Sequence, residues 1–368
     1  MIGGGGRARG LGWRVGVSGA GAAARVSACT AVGARLSSLS DGRLREAVAA
    51  AMGLGSGIGG RSARMDVEGV PVFVKRVPLT DLELRPEHVR STANLFGLPL
   101  FYQYGVGSAG FGAWRELAAH AMTTGWVLAG EYAGFPLLYH WRVLPDSPPA
   151  GFADQFGGVE GAVAHWEGST AVGRRLEAIA SSSHSLVLFL EYMPHTLAGC
   201  LADAREGASL SPYQWVNDEL ERGTRFMSAR GLVHFDAHFA NLLTDGHQVY
   251  FADFGLALSG DFALSPPERA FLADHLVYDC SYAPSHLLRH HIPDTVRAGA
   301  EHSAFLRAWA DGHRPASVPP DIGALLDRHA QHALVLDDFH QRLLTRSKRT
   351  PFPAAEVQRA LNGVSASR

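Results

Sequence analysis

Residues 232–257 read LVHFDAHFANLLTDGHQVYFADFGLA, and no other stretch narrows the possible folds as far. Two largely apolar, strand-like runs, 241–244 and 249–252, flank Asp245-Gly246, a strong hairpin signal. A hairpin folds back on itself, so Asn241 and Asp253 return to the same end. Asp236, in the loop entering the first strand, lies at that end too. Two carboxylates and one amide oxygen therefore converge beside the mouth of a hairpin. Hard oxygen ligands of this number suit Mg2+, which keeps several waters and binds phosphate oxygens.

A helix leads into this stretch. Ser211-Pro212-Tyr213-Gln214 has the form of a capping box, with Ser as N-cap and Pro at the first helical position. Trp215, Val216, Leu220, Phe226 and Met227 recur on one face, and Gly231 is a natural stop. Upstream, strands are expected over 64–67 and 70–77 with Glu68-Gly69 as the turn, over 135–144 and over 186–192. Short helices are expected near 44–52 and from Ala113, and another from Ser265-Pro266-Pro267-Glu268. Residues 78–112 and 146–170 lack a regular pattern and read as insertions.

Composition narrows the function classes. The chain has 368 residues, 46% hydrophobic, with a formal net charge of -2. That length supports one large domain or two modest ones, and the charge gives no support for bulk electrostatic binding of nucleic acid. The three cysteines, Cys29, Cys200 and Cys280, form no CxxC pair, which fits a reducing cytoplasm. No run of about 18 apolar residues suggests a membrane span. Lysine is nearly absent: only Lys75 and Lys348 occur among 33 basic residues. Lys75 stands within Val72-Phe73-Val74-Lys75-Arg76-Val77, where a charge in an apolar strand needs a partner. Gly55-Ser56-Gly57-Ile58-Gly59-Gly60 fits G-x-G-x-x-G. Residues 1–40 hold no acidic residue and are dominated by Gly, Ala, Arg and Ser, the composition of a disordered tail.

HFDAHFAN followed by DFG resembles the catalytic loop and metal-binding motif of the protein-kinase-like superfamily. The resemblance covers roughly residues 53–260. It implies an α+β fold of two lobes, a small antiparallel-sheet N-lobe and a larger, mainly helical C-lobe. The corresponding divisions are a tail over 1–42, an N-lobe with insertions over 43–192, a C-lobe over 193–345 and a C-terminal tail over 346–368. It implies that ATP and Mg2+ bind, that Asp236 orients the acceptor hydroxyl and takes its proton, and that Asn241 and Asp253 carry metal. Gly55, Gly57 and Gly60 would cover the phosphates, and Lys75 would pair with them. Glu116 is the chosen partner of Lys75, with Glu83 and Glu87 as rivals. The backbone of Glu191 to Met193 would receive the adenine.

The chain departs from the family pattern in places. Phe235 replaces the arginine of His-Arg-Asp, which argues against control by activation-loop phosphorylation. His238, two after Asp236, resembles the aminoglycoside-phosphotransferase branch and would donate to the γ-phosphate. No Ala-Pro-Glu follows at the usual distance. The function expected is an atypical serine/threonine protein kinase. The alternatives are a small-molecule kinase of aminoglycoside-phosphotransferase type and a nucleotide-binding pseudokinase scaffold. Neither nucleic acid nor membrane is expected as a partner. His286, His290 and His291 are read as a surface cluster and Cys280 as a buried apolar residue.

Overall fold

A mixed α/β architecture emerges from the computed structural model, which describes residues 19–206 and 212–365. It opens with helices α1 (Gly19–Ser37) and α2 (Asp41–Ala50). The disordered tail expected over 1–42 is therefore helical from residue 19. The cause lies in spacing: alanine favours helix, and Arg25, Cys29, Val32 and Leu36 recur at helical period on one face. Val32 and Leu36 are fully buried. Arg25 makes a two-pronged pair with Glu191, both contacts 2.8 Å, and donates to Ala133 O and Phe135 O.

Strands β1 (Met52–Gly57), β2 (Gly60–Val67) and β3 (Val70–Leu79) run as an antiparallel meander. The turn at Glu68-Gly69 has positive φ at both residues, as a tight hairpin of matching twist requires. Helix α3 (Asp81–Leu84) and an irregular segment reach α4 (Ala113–Leu128). Strand β4 (Leu138–Pro145), helices α5 (Val159–His165) and α6 (Thr170–Ala180), and strand β5 (His184–Glu191) follow. The sheet order is β1-β2-β3-β5-β4, antiparallel throughout. Alternation along β3 sorts its side chains between two layers. Val72 and Val74 join Val187 and Phe189 under α1 and α2, whereas Val77 packs with Trp114 and Leu117 of α4. Lys75 shares the α4 side.

The remainder is mostly helical. In order come β6 (His195–Thr196), α7 (Leu197–Glu206), α8 (Tyr213–Ala229), β7 (Leu232–Val233), β8 (Leu242–Thr244), β9 (Val249–Phe251) and β10 (Leu258–Ser259). Helices α9 (Pro266–His275), α10 (Tyr278–His290), α11 (His302–Ala310), α12 (Pro320–Thr345) and α13 (Ala354–Ser365) complete the chain. Ser211 of the expected capping box lies outside the described residues. The box at Ser265 and Glu268 forms fully, with Pro at the first turn of α9. Gly231, at φ +68°, ends α8 in the left-handed conformation. The expected C-terminal tail is folded in its described part: Val357 is fully buried, and Lys348 Nζ donates to Leu343 O at the end of α12. Among the described residues no helix is long and apolar enough to cross a membrane.

Candidate active site

The β8–β9 hairpin pairs Leu242 with Phe251 and Thr244 with Val249. Its open end carries Asn241 and Asp253, and the preceding loop carries Asp236. That loop is held from below by Asp279 on α10, whose buried carboxylate accepts the backbone N–H groups of His234 at 2.5 Å and Phe235 at 3.1 Å. Phe235 has φ +64°, a costly conformation for a side chain of that size, and its ring is fixed among Tyr104, Phe271 and Tyr278. His234 joins the two arms of the site. Its Nε2 bonds Ala252 O at 2.9 Å and its Nδ1 accepts the N–H of Asp236. Burial pushes this imidazole down to about 4, so it is neutral at pH 7.

Asp253 also has positive φ, +63°, and its carboxylate accepts the Gly255 N–H. Lys75 Nζ donates to Asp253 Oδ1 at 2.7 Å and pairs with Glu116 Oε1 at 2.6 Å. Of the rival carboxylates, Glu83 is buried against Arg175 at 2.7 Å and Glu87 is exposed. Asn241 Nδ2 donates to Asp236 Oδ2 at 2.9 Å, which leaves its amide oxygen over for another partner. His238 stands beside Asp236, Nε2 to Oδ2 3.7 Å.

Two carboxylates, Asp253 and Glu116, thus meet one ammonium, with Asp236 in the same cavity, and the titrations follow. Burial alone would raise Asp253, but the charge and hydrogen bond of Lys75 outweigh it and hold the carboxyl at about 2. Burial would lower Lys75, and Asp253 and Glu116 reverse this and raise it. Burial, then repulsion from Asp253, pushes Asp236 up to about 8. Asp253 and Glu116 face a single ammonium, and a divalent cation beside Asp253 would also draw Asp236 back towards its ionised form. Asn241 and Asp253 offer it only two protein oxygens, too few for an all-protein cage and suited to Mg2+ completed by water and phosphate. No group of three or more His, Cys, Asp and Glu side chains that could hold a metal ion is found among the described residues.

These residues line one cavity of about 230 Å3, shared by Lys75, Glu116, Asp236, His238, Asn241 and Asp253. The other residues named from the sequence lie elsewhere. Of the first glycine-rich segment, only Ile58 and Gly59, the turn of the β1–β2 hairpin, reach the cavity; Gly55, Gly57 and Gly60 do not. Gly60 serves the sheet instead: at φ +122°, a Cβ there would fall 2.2 Å from Arg76 O. Glu191 and Met193 also lie off the cavity. The Glu191 N–H is taken by Leu137 O, its carboxylate by Arg25, and Phe73 is the next side chain after Lys75 on the α4 side of β3 towards it. The histidine cluster is not confined to the surface, since His286 is half-buried and reaches His238 at a ring distance of 6.3 Å. Cys280 is half-buried as well.

Sequence reasoning missed the wall formed by Ser108, Ala109, Gly110 and Gly112, together with Arg175. Its signal was Gly105-Val106-Gly107-Ser108-Ala109-Gly110, a second G-x-G-x-x-G ahead of a helix. Asp279 carried no motif to mark it. No protein-family model matches the chain, and a search of curated proteins finds no match either.

Proposed function

We propose that the chain is an ATP- and magnesium-dependent phosphotransferase that moves the γ-phosphoryl group to a hydroxyl, on a two-lobed, protein-kinase-like fold. The observation that carries this reading is the convergence of Lys75, Asp236, Asn241 and Asp253 on one cavity, with Glu116 behind the lysine. Chemistry of this kind needs positioning and charge neutralisation rather than a covalent intermediate. Magnesium held by Asn241 and Asp253 would neutralise charge on the phosphate oxygens. Lys75 clamps the phosphates, oriented by Glu116. Asp236 accepts the proton of the acceptor hydroxyl as its oxygen bonds to the γ-phosphorus. The bond from that phosphorus to the β–γ bridging oxygen breaks, its electron pair staying on the leaving diphosphate. His238, beside Asp236, donates to the transferring group. Atoms and charge balance with no other reactant.

The test uses γ-labelled ATP with the purified full chain. Magnesium-dependent transfer or hydrolysis is expected, falling about 100-fold or more in Asp236→Asn. Asp253→Asn abolishes the magnesium-dependent activity while the fold is retained by circular dichroism. Nucleotide binding with no turnover under any condition would instead make the chain a scaffold, and no binding at all would refute the reading.

A further inference from the structure

A second cavity lies among helices α8, α10, α12 and α13. At about 370 Å3 it is larger than the one at Asp236 and shares no lining residue with it. That volume is within the ~300–1,000 Å3 of ordinary ligand pockets.

Its floor holds a chain of hydrogen bonds whose direction the chemistry fixes. A carboxylate only accepts, so Asn217 gives its Nδ2–H to Glu221 Oε1 at 3.1 Å and turns its oxygen to His329 Nε2 at 2.6 Å. Burial keeps His329 and His332 in the neutral form. His329 therefore donates through Nε2 and accepts at Nδ1 from the His332 Nε2–H, 2.9 Å away. His332 Nδ1 in turn accepts the Ser281 hydroxyl at 3.1 Å. All four ring nitrogens are used within the floor, and both rings are buried. What the imidazoles can offer an occupant is carbon, and Val277 and Leu361 extend that apolar wall. Cys280 joins it as a neutral thiol, since burial pushes it up to about 11.

The rim carries the charge. Arg225 and Arg328 meet on the Glu221 carboxylate, each at 3.0 Å. Asp218 stands 3.8 Å from Arg328, but it is 57% exposed and lies outside the cavity. Two cations thus face one carboxylate at the cavity, and each guanidinium has further N–H groups to donate. Asn362 adds an amide donor, its oxygen being taken by Gln358 Nε2 at 2.9 Å.

We propose that this cavity binds a small apolar monocarboxylate, its carboxylate on Arg225 and Arg328 and its body against Val277, Leu361 and the histidine floor. Arginine forks match a carboxylate in shape as well as charge. A dianion such as a phosphate monoester would meet the Glu221 charge, and a cation would meet the arginines. The site goes beyond the phosphotransferase reading and stands without it, since none of these groups serves the Asp236 cavity.

Calorimetry on the full chain compares benzoate and hexanoate with benzyl alcohol, phenyl phosphate and benzylamine, with and without ATP·Mg. At least one carboxylate is expected to bind with a Kd of about 1 mM or below, roughly tenfold tighter than the other three probes. ATP·Mg should leave that Kd unchanged. Arg225→Gln, at a side chain 69% exposed, should weaken binding about fivefold or more with the thermal midpoint retained. Leu361→Trp fills the cavity and should abolish binding, its thermal midpoint reporting whether the fold survives. No carboxylate binding up to about 10 mM, equal binding of benzyl alcohol, tighter binding of phenyl phosphate, displacement by ATP·Mg, or undiminished binding by folded Arg225→Gln overturns the proposal.

Discussion

The chain has two glycine-rich segments of similar spelling, and they do opposite things. Residues 55–60 form the tip of an exposed hairpin, where a Cβ on Gly57 would meet nothing within 4 Å and only Gly60, at its inner end, is held close to Arg76 O. Residues 105–112 are wedged among the groups of the site, where Cβ atoms on Gly105, Gly110 and Gly112 would strike Asp236, Gly255 and Glu83. A glycine motif marks flexibility when its surroundings are open, and close backbone approach when they are not. Spelling alone does not separate the two cases; the neighbours do.

The comparison can be broken most forcefully with acid. The second segment rests on His275, one of several histidines buried in the neutral form. Burial holds His275 and His332 near 4, and His120, with the Lys75 charge adding to burial, near 3. His275 Nδ1 bonds Phe271 O, so a neutral ring leaves Nε2 to accept the Tyr104 hydroxyl. These pKa values lie below the unfolded value of about 6.5. Their stabilisation is therefore complete above pH 6.5 and is lost as pH falls towards 4, on the order of 1 kcal/mol per group per pH unit. Chemical denaturation between pH 7 and pH 4.5 should show a steep fall. Hydrogen exchange should show residues 101–112 losing protection before the β1–β2 hairpin; the reverse order would contradict the contrast.

Next in size is Glu83→Gln. The Glu83 carboxylate pairs with Arg175, closes a capping box with Thr80 and accepts the N–H of Ala113 at the start of α4. Breaking a buried pair while leaving its partner charged costs about 3–5 kcal/mol, and thermal or urea unfolding measures it. Gly110→Ala sharpens the comparison at about 2 kcal/mol or more, from its left-handed backbone and the clash with Gly255 O. Gly57→Ala should stay within about 0.5 kcal/mol of wild type. Equal effects at the two glycines would mean that the segments are not different in kind. Arg25→Met is the smallest of the destabilising set, at about 1–2 kcal/mol. It removes hydrogen bonds to Glu191, Ala133 and Phe135 that are shared with the sheet. Proteolysis should then cut within α1 first.

How much was legible in the residues follows the same division. The hairpin at 241–253 was readable because strand pattern and turn chemistry agree locally, and it brings Asn241 to Asp253 by geometry alone. Lys75 stood out because lysine is scarce and its strand apolar. Helix α1 was hidden by its composition, although the spacing of Cys29, Val32 and Leu36 carried the signal. The Gly105–Gly112 wall had a glycine spelling but no readable place, and Arg175 had no signal, since their meaning depends on contacts with Asp236, Gly255 and Glu83 far along the chain. Glu191 and Met193, named for main-chain contacts, lie off the cavity lined by Lys75 and Asp253, and the pairing of the Glu191 carboxylate with Arg25 of α1 was not foreseen because that segment was expected to be disordered.

The central claim is that Lys75, Asn241 and Asp253 form one magnesium-dependent triphosphate site. Calorimetric titration of ATP into the full chain, with and without Mg2+, tests it most directly, with Asp253→Asn as the paired variant. The account predicts binding that requires magnesium in the wild type and is weakened at least tenfold in the variant. Binding of equal strength in all four titrations, or none in the wild type with magnesium, would contradict it.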